Sequence, residues 1–304
     1  MMAAINAHPW DDAAEGWDRH SELLGDWLHE ITSAMLDAAG IAAGSRVLDI
    51  AAGAGEQTLA IARRVGPGGH VLATDISSRI LALAQSKLRV AGFAQASTRV
   101  ADAQALALQG AGFDAAVSRL GLMFCTAPLQ ALREAHAALR AGGRFSAVVF
   151  GPPSGNPCIA LMLLIARRHA GLAPALPASA DEPGTLFSLG RQDLMAELLQ
   201  RAGFVDIEIR TVPAPMRLPS SLHYIEFVRS AGLPIVQLLA ALPEAAQRAA
   251  WDDMSAQLAR FDTPGGWSGP NELLLCAAVR PQSIDFQATT DRRPQPGDDS
   301  ECIY

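Results

Sequence analysis

The segment Val47-Leu48-Asp49-Ile50-Ala51-Ala52-Gly53-Ala54-Gly55-Glu56 reads as an apolar strand ending at Asp49, a turn built on two glycines, and the start of a helix. A short continuous apolar run closed by a glycine loop fits a strand covered on both faces. Gly53 and Gly55 allow a tight turn and a close approach of backbone to a ligand. In a doubly wound sheet this is where ligands bind, outside the carboxyl ends of the strands.

The same alternation continues outward. Helices are expected over Glu56–Val65, Ser78–Ala91 and Ala127–Leu139, with strands at His70–Thr74, Thr98–Val100, Phe113–Val117 and Phe145–Phe150. Gly66, Gly92 and Gly142-Gly143 punctuate the connections. Upstream, Leu24, Trp27, Leu28, Ile31, Met35 and Leu36 recur at helical spacing, which predicts one helix over Asp18–Ala39 stopped by Gly40. Downstream, Pro152, Pro153 and Pro157 interrupt the alternation. A helix at Gln192–Ala202 and a strand at Val205–Arg210 follow, then helices at Ser221–Ala231 and Val236–Leu258 and a last strand at Glu272–Val279. The expected class is α/β, a Rossmann-like doubly wound sheet with a helical insertion.

Composition narrows the function classes. The 304 residues carry a net charge of −7 without a basic stripe, which disfavours nucleic acid as a partner. Four widely spaced cysteines, Cys125, Cys158, Cys276 and Cys302, form neither a metal motif nor a disulfide framework. The first ten residues lack a signal pattern, and the longest apolar run, Ile159–Ala166, is too short to span a bilayer. A cytoplasmic protein with no metal and no membrane span is the expectation.

Acids mark the carboxyl ends of three successive strands: Asp49, Asp75 and Asp102. Thr58 stands where a dinucleotide fingerprint has its third glycine, and Asp49 and Glu56 bracket the loop. Carboxylates there oppose a pyrophosphate and suit a phosphate-free ligand with a cationic centre, as S-adenosylmethionine is. Asp75 can accept from both ribose hydroxyls, and Asp102 from an adenine amine. Their plain alternatives are a turn or capping Asp before Ser77-Ser78, and an ordinary loop Asp.

With those residues in view, the chain resembles class I S-adenosylmethionine-dependent methyltransferases, nearest the ubiquinone/menaquinone-biosynthesis C-methyltransferase branch. The resemblance runs from about Trp17 to Val279, through Trp17-Asp18-Arg19-His20, the glycine loop, Asp75, Asp102, Phe113–Leu120 and Leu139–Arg144. It implies a seven-stranded sheet whose last strand is antiparallel, and methyl transfer to a small, partly hydrophobic acceptor. Ala51 departs from the usual first glycine of the loop, and Ala141 from a frequent proline.

The cofactor set expected on these grounds is Asp49, Ala51, Gly53, Gly55, Asp75, Ile76, Asp102, Ala103, Ser118 and Arg119, the last two against the methionine part. Trp17, Met123, Phe124 and Phe187 are expected at the acceptor pocket, although Met123 and Phe124 also suit core packing. His20 is the candidate base, its plain alternative being a surface or capping histidine. The chain divides into a helical lid (1–40), a cofactor-binding core (41–150), an acceptor cap (151–190), the rest of the core with added helices (191–280) and a disordered tail (281–304). Competing readings are a methyltransferase-fold protein that binds the cofactor without transfer, a cyclase or binding module, and a nicotinamide-dependent oxidoreductase.

Overall fold

The computed structural model describes residues 8–174, 176 and 183–282. The tail expected to be disordered lies almost wholly outside the described residues, as do Met1–Ala7 and part of the acceptor cap.

Helices α1 (Trp10–Arg19) and α2 (Ser21–Ala38) precede the first strand, β1 (Arg46–Ile50). Then come α3 (Glu56–Val65), β2 (His70–Asp75), α4 (Ser78–Val90), β3 (Ala96–Val100), β4 (Phe113–Arg119), α5 (Pro128–Ala138) and β5 (Leu139–Phe150). The second half holds α6 (Pro157–His169), α7 (Gln192–Arg201), β6 (Val205–Pro213), β7 (Met216–Leu218), α8 (Ser221–Ala231), α9 (Leu233–Ala240) and α10 (Glu244–Leu258). Strands β8 (Asp262–Thr263), β9 (Gly266–Gly269) and β10 (Glu272–Val279) close the described chain.

Seven strands form one sheet in the order β3-β2-β1-β4-β5-β10-β6, and β10 runs antiparallel to both of its neighbours. This is the doubly wound sheet expected from the strand–helix alternation, with the antiparallel last strand that the resemblance implies. Its middle is dry: Val47, Leu48, Val71, Ala73, Ala116, Val117 and Val148 have no exposed surface. That accounts for strands that read as unbroken apolar runs. Register does the positioning. Asp49 pairs with Ala73 and Val117, and Asp75 with Val100, so the loops after β1, β2, β3 and β4 open onto one edge.

Three expectations are corrected. The single helix over Asp18–Ala39 is two, because His20 leaves helical geometry at φ −101° and ψ 18°. The chain turns there so that α1 can lie against α4 and α8. The inward face of α1 is made of Ala13, Ala14 and Gly16, small residues that leave little trace in a hydrophobic pattern. Of the lid expected over 1–40, α2 is a layer of the core, packed on β4, β5 and β10. The expected helix Val236–Leu258 is also two. Pro234 starts α9 early, and Pro243 stands at the cap of α10, where its ring excludes a continuous helix.

A second sheet, β7-β9-β8, was not expected, since its strands are two to four residues long. Its visible trace was the Pro264-Gly265-Gly266 turn, where Gly266 takes φ +113°. Among the described residues no helix is long and apolar enough to cross a membrane, and no group of His, Cys, Asp and Glu could hold a metal.

Candidate cofactor and acceptor site

Two adjoining cavities open at the carboxyl edge of the sheet. The first, about 340 Å³, is bounded by the loop after β1, the ends of β2 and β3, and the turn after β4. The second, about 90 Å³, lies between α1, α2 and α8. Trp10, Trp17, Leu120 and Phe124 line both and so form the partition.

Asp75 is 8% exposed and sits in the wall of the first cavity. Its Oδ2 accepts from the Gly53 N–H and its Oδ1 from the Ser77 N–H, both at 2.9 Å. Ser77 in turn caps α4, its hydroxyl accepting from the Ile80 N–H at 3.1 Å. Asp75 therefore holds the turn as well as facing the cavity. Each carboxylate oxygen has further lone pairs free for a ligand diol. Burial, the largest influence on Asp75, raises its pKa. Asp102 follows the same plan: Oδ1 accepts from the Gln104 N–H at 2.9 Å while the residue lines the cavity.

Ala51 takes the left-handed φ of +55° in the place of the usual glycine. Across from it, a Cβ on Gly121 would lie 2.3 Å from the Ala51 Cβ. The methyl missing at one position is present at the other, so the two residues share one space. Gly121→Ala should therefore cost about 1–3 kcal/mol of stability through overpacking. Adding Ala51→Gly should return most of that loss. Ala51→Gly alone should shift stability by no more than about 1 kcal/mol, relief of left-handed strain offsetting glycine's extra entropy. Unfolding titrations of the four proteins test this, and additive effects would disprove the shared space.

Gly55 serves packing. Its φ is +92°, and a Cβ there would stand 2.8 Å from the Ala84 Cβ on α4. Of the expected cofactor set, Ala51, Gly53, Asp75, Ile76, Asp102, Ala103 and Arg119 line the first cavity. Asp49, Gly55 and Ser118 do not.

Asp49 lies fully buried beneath the loop, accepting from Gln57 Nε2 and, at 2.6 Å, from the Thr58 hydroxyl. Thr58 thus fixes the start of α3 to β1. Arg119 adds a cation: its Nη1 donates to Thr32 Oγ1 at 2.7 Å, and Glu56 and Asp49 act on it electrostatically. Glu56 lines the cavity but pairs with Lys87 Nζ at 2.6 Å, and that lysine also reaches Asp18 at 3.0 Å. Of the loop's two bracketing acids, Asp49 lies outside the cavity and Glu56 is held in an ion pair, so the cavity carboxylates without an ion pair among the described residues are Asp75 and Asp102.

The second cavity has an apolar wall. Trp17, Met123 and Phe124 belong to it, together with Trp27, Phe150, Tyr224 and Phe227, which sequence reasoning missed. Phe187 does not reach it. Its ring is 1% exposed and stands 6.4 Å from that of Phe150, behind the wall. His20 lines neither cavity. Its Nε2 meets Ser230 Oγ at 2.9 Å and its ring sits edge-on to Phe227, so it braces α1 against α8. Gly16 brings the same pair together, since a Cβ there would fall 1.8 Å from the Ser230 carbonyl oxygen.

Residues 47–143, whose strand ends and loops supply most of the first cavity, match a family model described as a methyltransferase domain. The ubiquinone/menaquinone biosynthesis C-methyltransferase UbiE of Hahella chejuensis is 34% identical over 155 residues. The segment that builds the α/β core is thus similar to methyltransferase domains, and the aligned half of the chain is similar to the UbiE C-methyltransferases.

That alignment covers 50% of this chain and 62% of the relative, so the chain spans about six-tenths of the length of the curated protein it matches. Among solved structures, the YcgJ protein of Bacillus subtilis superposes with a TM-score of 0.56 at 18% identity, over 84% of this chain and 99% of its own. Phosphoethanolamine N-methyltransferase 2 of Haemonchus contortus, in complex with S-adenosyl-L-methionine, gives 0.53 at 20% identity, over 83% and 53%. These likenesses show the fold. The matched segment supplies most of the first cavity, whereas much of the second is walled from outside it, by α1, α2, α8 and α9.

Proposed function

We propose that this chain transfers a methyl group from S-adenosylmethionine to a small, partly hydrophobic organic acceptor. The observation that carries the proposal is the shared partition between two unlike cavities. One offers carboxylates at successive strand ends, and the other offers aromatic and aliphatic side chains. A volume of about 340 Å³ lies within the range of small-molecule sites. Asp75 has lone pairs for a ribose diol, Asp102 stands one strand further along for the base, and Arg119 is placed for a carboxylate.

S-adenosylmethionine supplies an electrophilic methyl on a sulfonium. The protein's part is to hold the acceptor atom in line with that methyl and to exclude water, and proximity of this kind contributes much of the acceleration. Leu120 and Phe124, which face both cavities, stand where the two reactants would meet. Leu120 is held there at φ +58°, a conformation rare for leucine that functional sites sustain.

A nicotinamide cofactor fits less well. Thr58 spends its hydroxyl on Asp49, and the pocket offers Asp75 and Asp102 to a ligand where a pyrophosphate needs donors. Isothermal calorimetry should show heat with S-adenosylhomocysteine and none with NAD or NADP. Binding of NAD without S-adenosylhomocysteine would refute the proposal.

A further inference from the structure

Among the described residues, the wall of the second cavity contains no Asp, Glu, His, Lys, Arg or Cys. Its one titratable residue is Tyr224, stacked on Trp267 at 4.4 Å, and burial raises its pKa so that the phenol stays neutral. Two polar side-chain atoms of this apolar setting are buried without a partner among the described residues. Asn271, 6% exposed, donates from Nδ2 to the Gly269 carbonyl at 3.2 Å, and its Oδ1 is buried with no partner among the described residues. Trp17 Nε1 is in the same condition, and Trp17 lies in the partition that faces both cavities. Neighbouring indoles are satisfied: Trp27 donates to the Ala214 carbonyl at 2.7 Å, and Trp267 to that of Leu258 at 3.1 Å.

Buried polar atoms left unpaired are costly and uncommon, and a ligand is one thing that pairs them. Resting on the methyl-transfer reading, we propose that Asn271 and Trp17 are the polar anchors that select the acceptor. Asn271 Oδ1 takes a hydrogen bond from an O–H or N–H of the acceptor, and Trp17 Nε1 gives one to an oxygen near the reacting atom. The acceptor is an uncharged molecule with an apolar body. A phosphorylated or ammonium-bearing acceptor would enter this wall without a counter-charge, at a heavy desolvation cost.

Three probes of matched shape test the assignment by calorimetry, on the protein alone and with excess S-adenosylhomocysteine: para-butylphenol, para-butyltoluene and para-butylbenzoate. The phenol should bind about tenfold or more tighter than the hydrocarbon, and the anionic benzoate weaker than the phenol by a similar factor. Asn271→Leu should erase the phenol's advantage over the hydrocarbon, and Trp17→Phe, which keeps a ring but removes the N–H, should reduce it. Affinity of Asn271→Leu for S-adenosylhomocysteine reports its folding, and Trp17→Phe serves should that variant fail to fold. Equal affinities for the three probes, no binding of the phenol, or a preference intact in the variants overturns the assignment. The cofactor titration keeps the two readings apart. Normal cofactor binding without discrimination removes the anchors alone, and discrimination without cofactor binding removes the methyl-transfer reading alone.

Discussion

Asp75→Ala should lower affinity for S-adenosylhomocysteine on the order of 100-fold, the largest effect expected of one side chain in the cofactor cavity. Two hydrogen bonds from a ribose diol to a carboxylate contribute roughly 1.5–3 kcal/mol each, and a loss of about 3 kcal/mol in total corresponds to that factor. The loss has a second source in this chain. Asp75 also receives the N–H groups of Gly53 and Ser77, so its removal loosens the glycine loop and the start of α4 together. Asp75→Asn keeps an acceptor for one of these contacts and should fall between the two. Calorimetry on folded variants decides: an unchanged affinity in Asp75→Ala would mean that the residue only holds the turn.

The contribution of Asp49 to stability should fall as pH rises from about 4 to about 7, by up to roughly 4 kcal/mol. Complete burial, the dominant influence, pushes the Asp49 carboxyl up to about 7 against the opposing pull of Thr58, Gln57 and Arg119. Between the ordinary carboxylate range and that value the folded chain holds a proton that the unfolded chain has lost. The stabilisation is complete below the unfolded pKa and disappears as pH climbs through the folded one. A gap of one pH unit between the folded and unfolded pKa corresponds to about 1.36 kcal/mol, which sets the upper figure. Asp75 is raised by burial as well and works in the same direction.

Asp11 and Asp114 do not mask this window. Burial raises them too, but hydrogen bonds from Ser77 to Asp11, and from the Arg46 N–H and Arg140 to Asp114, outweigh it. Both end below their ordinary value, so their stabilisation is lost only in more acidic solution. Burial lowers the pKa of His20, His70 and His136, which works in the opposite sense. The decline is therefore read as the difference in stability between the unaltered chain and Asp49→Asn, in denaturant titrations from about pH 5 to about pH 8. A slope unchanged in that variant would assign the pH dependence elsewhere.

The sheet was legible because its signals are local. Strands buried on both faces leave continuous apolar runs, and glycines mark the turns between them. The acids at the edge of the first cavity were legible for the same reason, since Asp75 ends β2 and Asp102 follows β3 by two residues. Asp49 looked like a third member of that series, but it sits one residue inside β1, and its carboxyl lies beneath the loop. The acceptor wall was not legible. Trp27, Tyr224 and Asn271 lie far apart in sequence, and each has the composition of ordinary core. Only packing brings them together. The division of α1 from α2 was hidden because α1 packs through Ala13, Ala14 and Gly16, whose burial leaves no hydrophobic stripe.

The partition of Trp10, Trp17, Leu120 and Phe124 has a consequence for how such a protein can diversify. Most of the first cavity is built within residues 47–143, while about half of the second cavity's wall comes from α2, α8, α9 and the small sheet. Substitutions in that second group can reshape the acceptor space without touching the strand ends that face the cofactor. A library confined to Tyr224, Phe227, Val228 and Ile235 would explore new acceptors on a constant donor site. The four partition residues, answerable to both sides, would tolerate the least change.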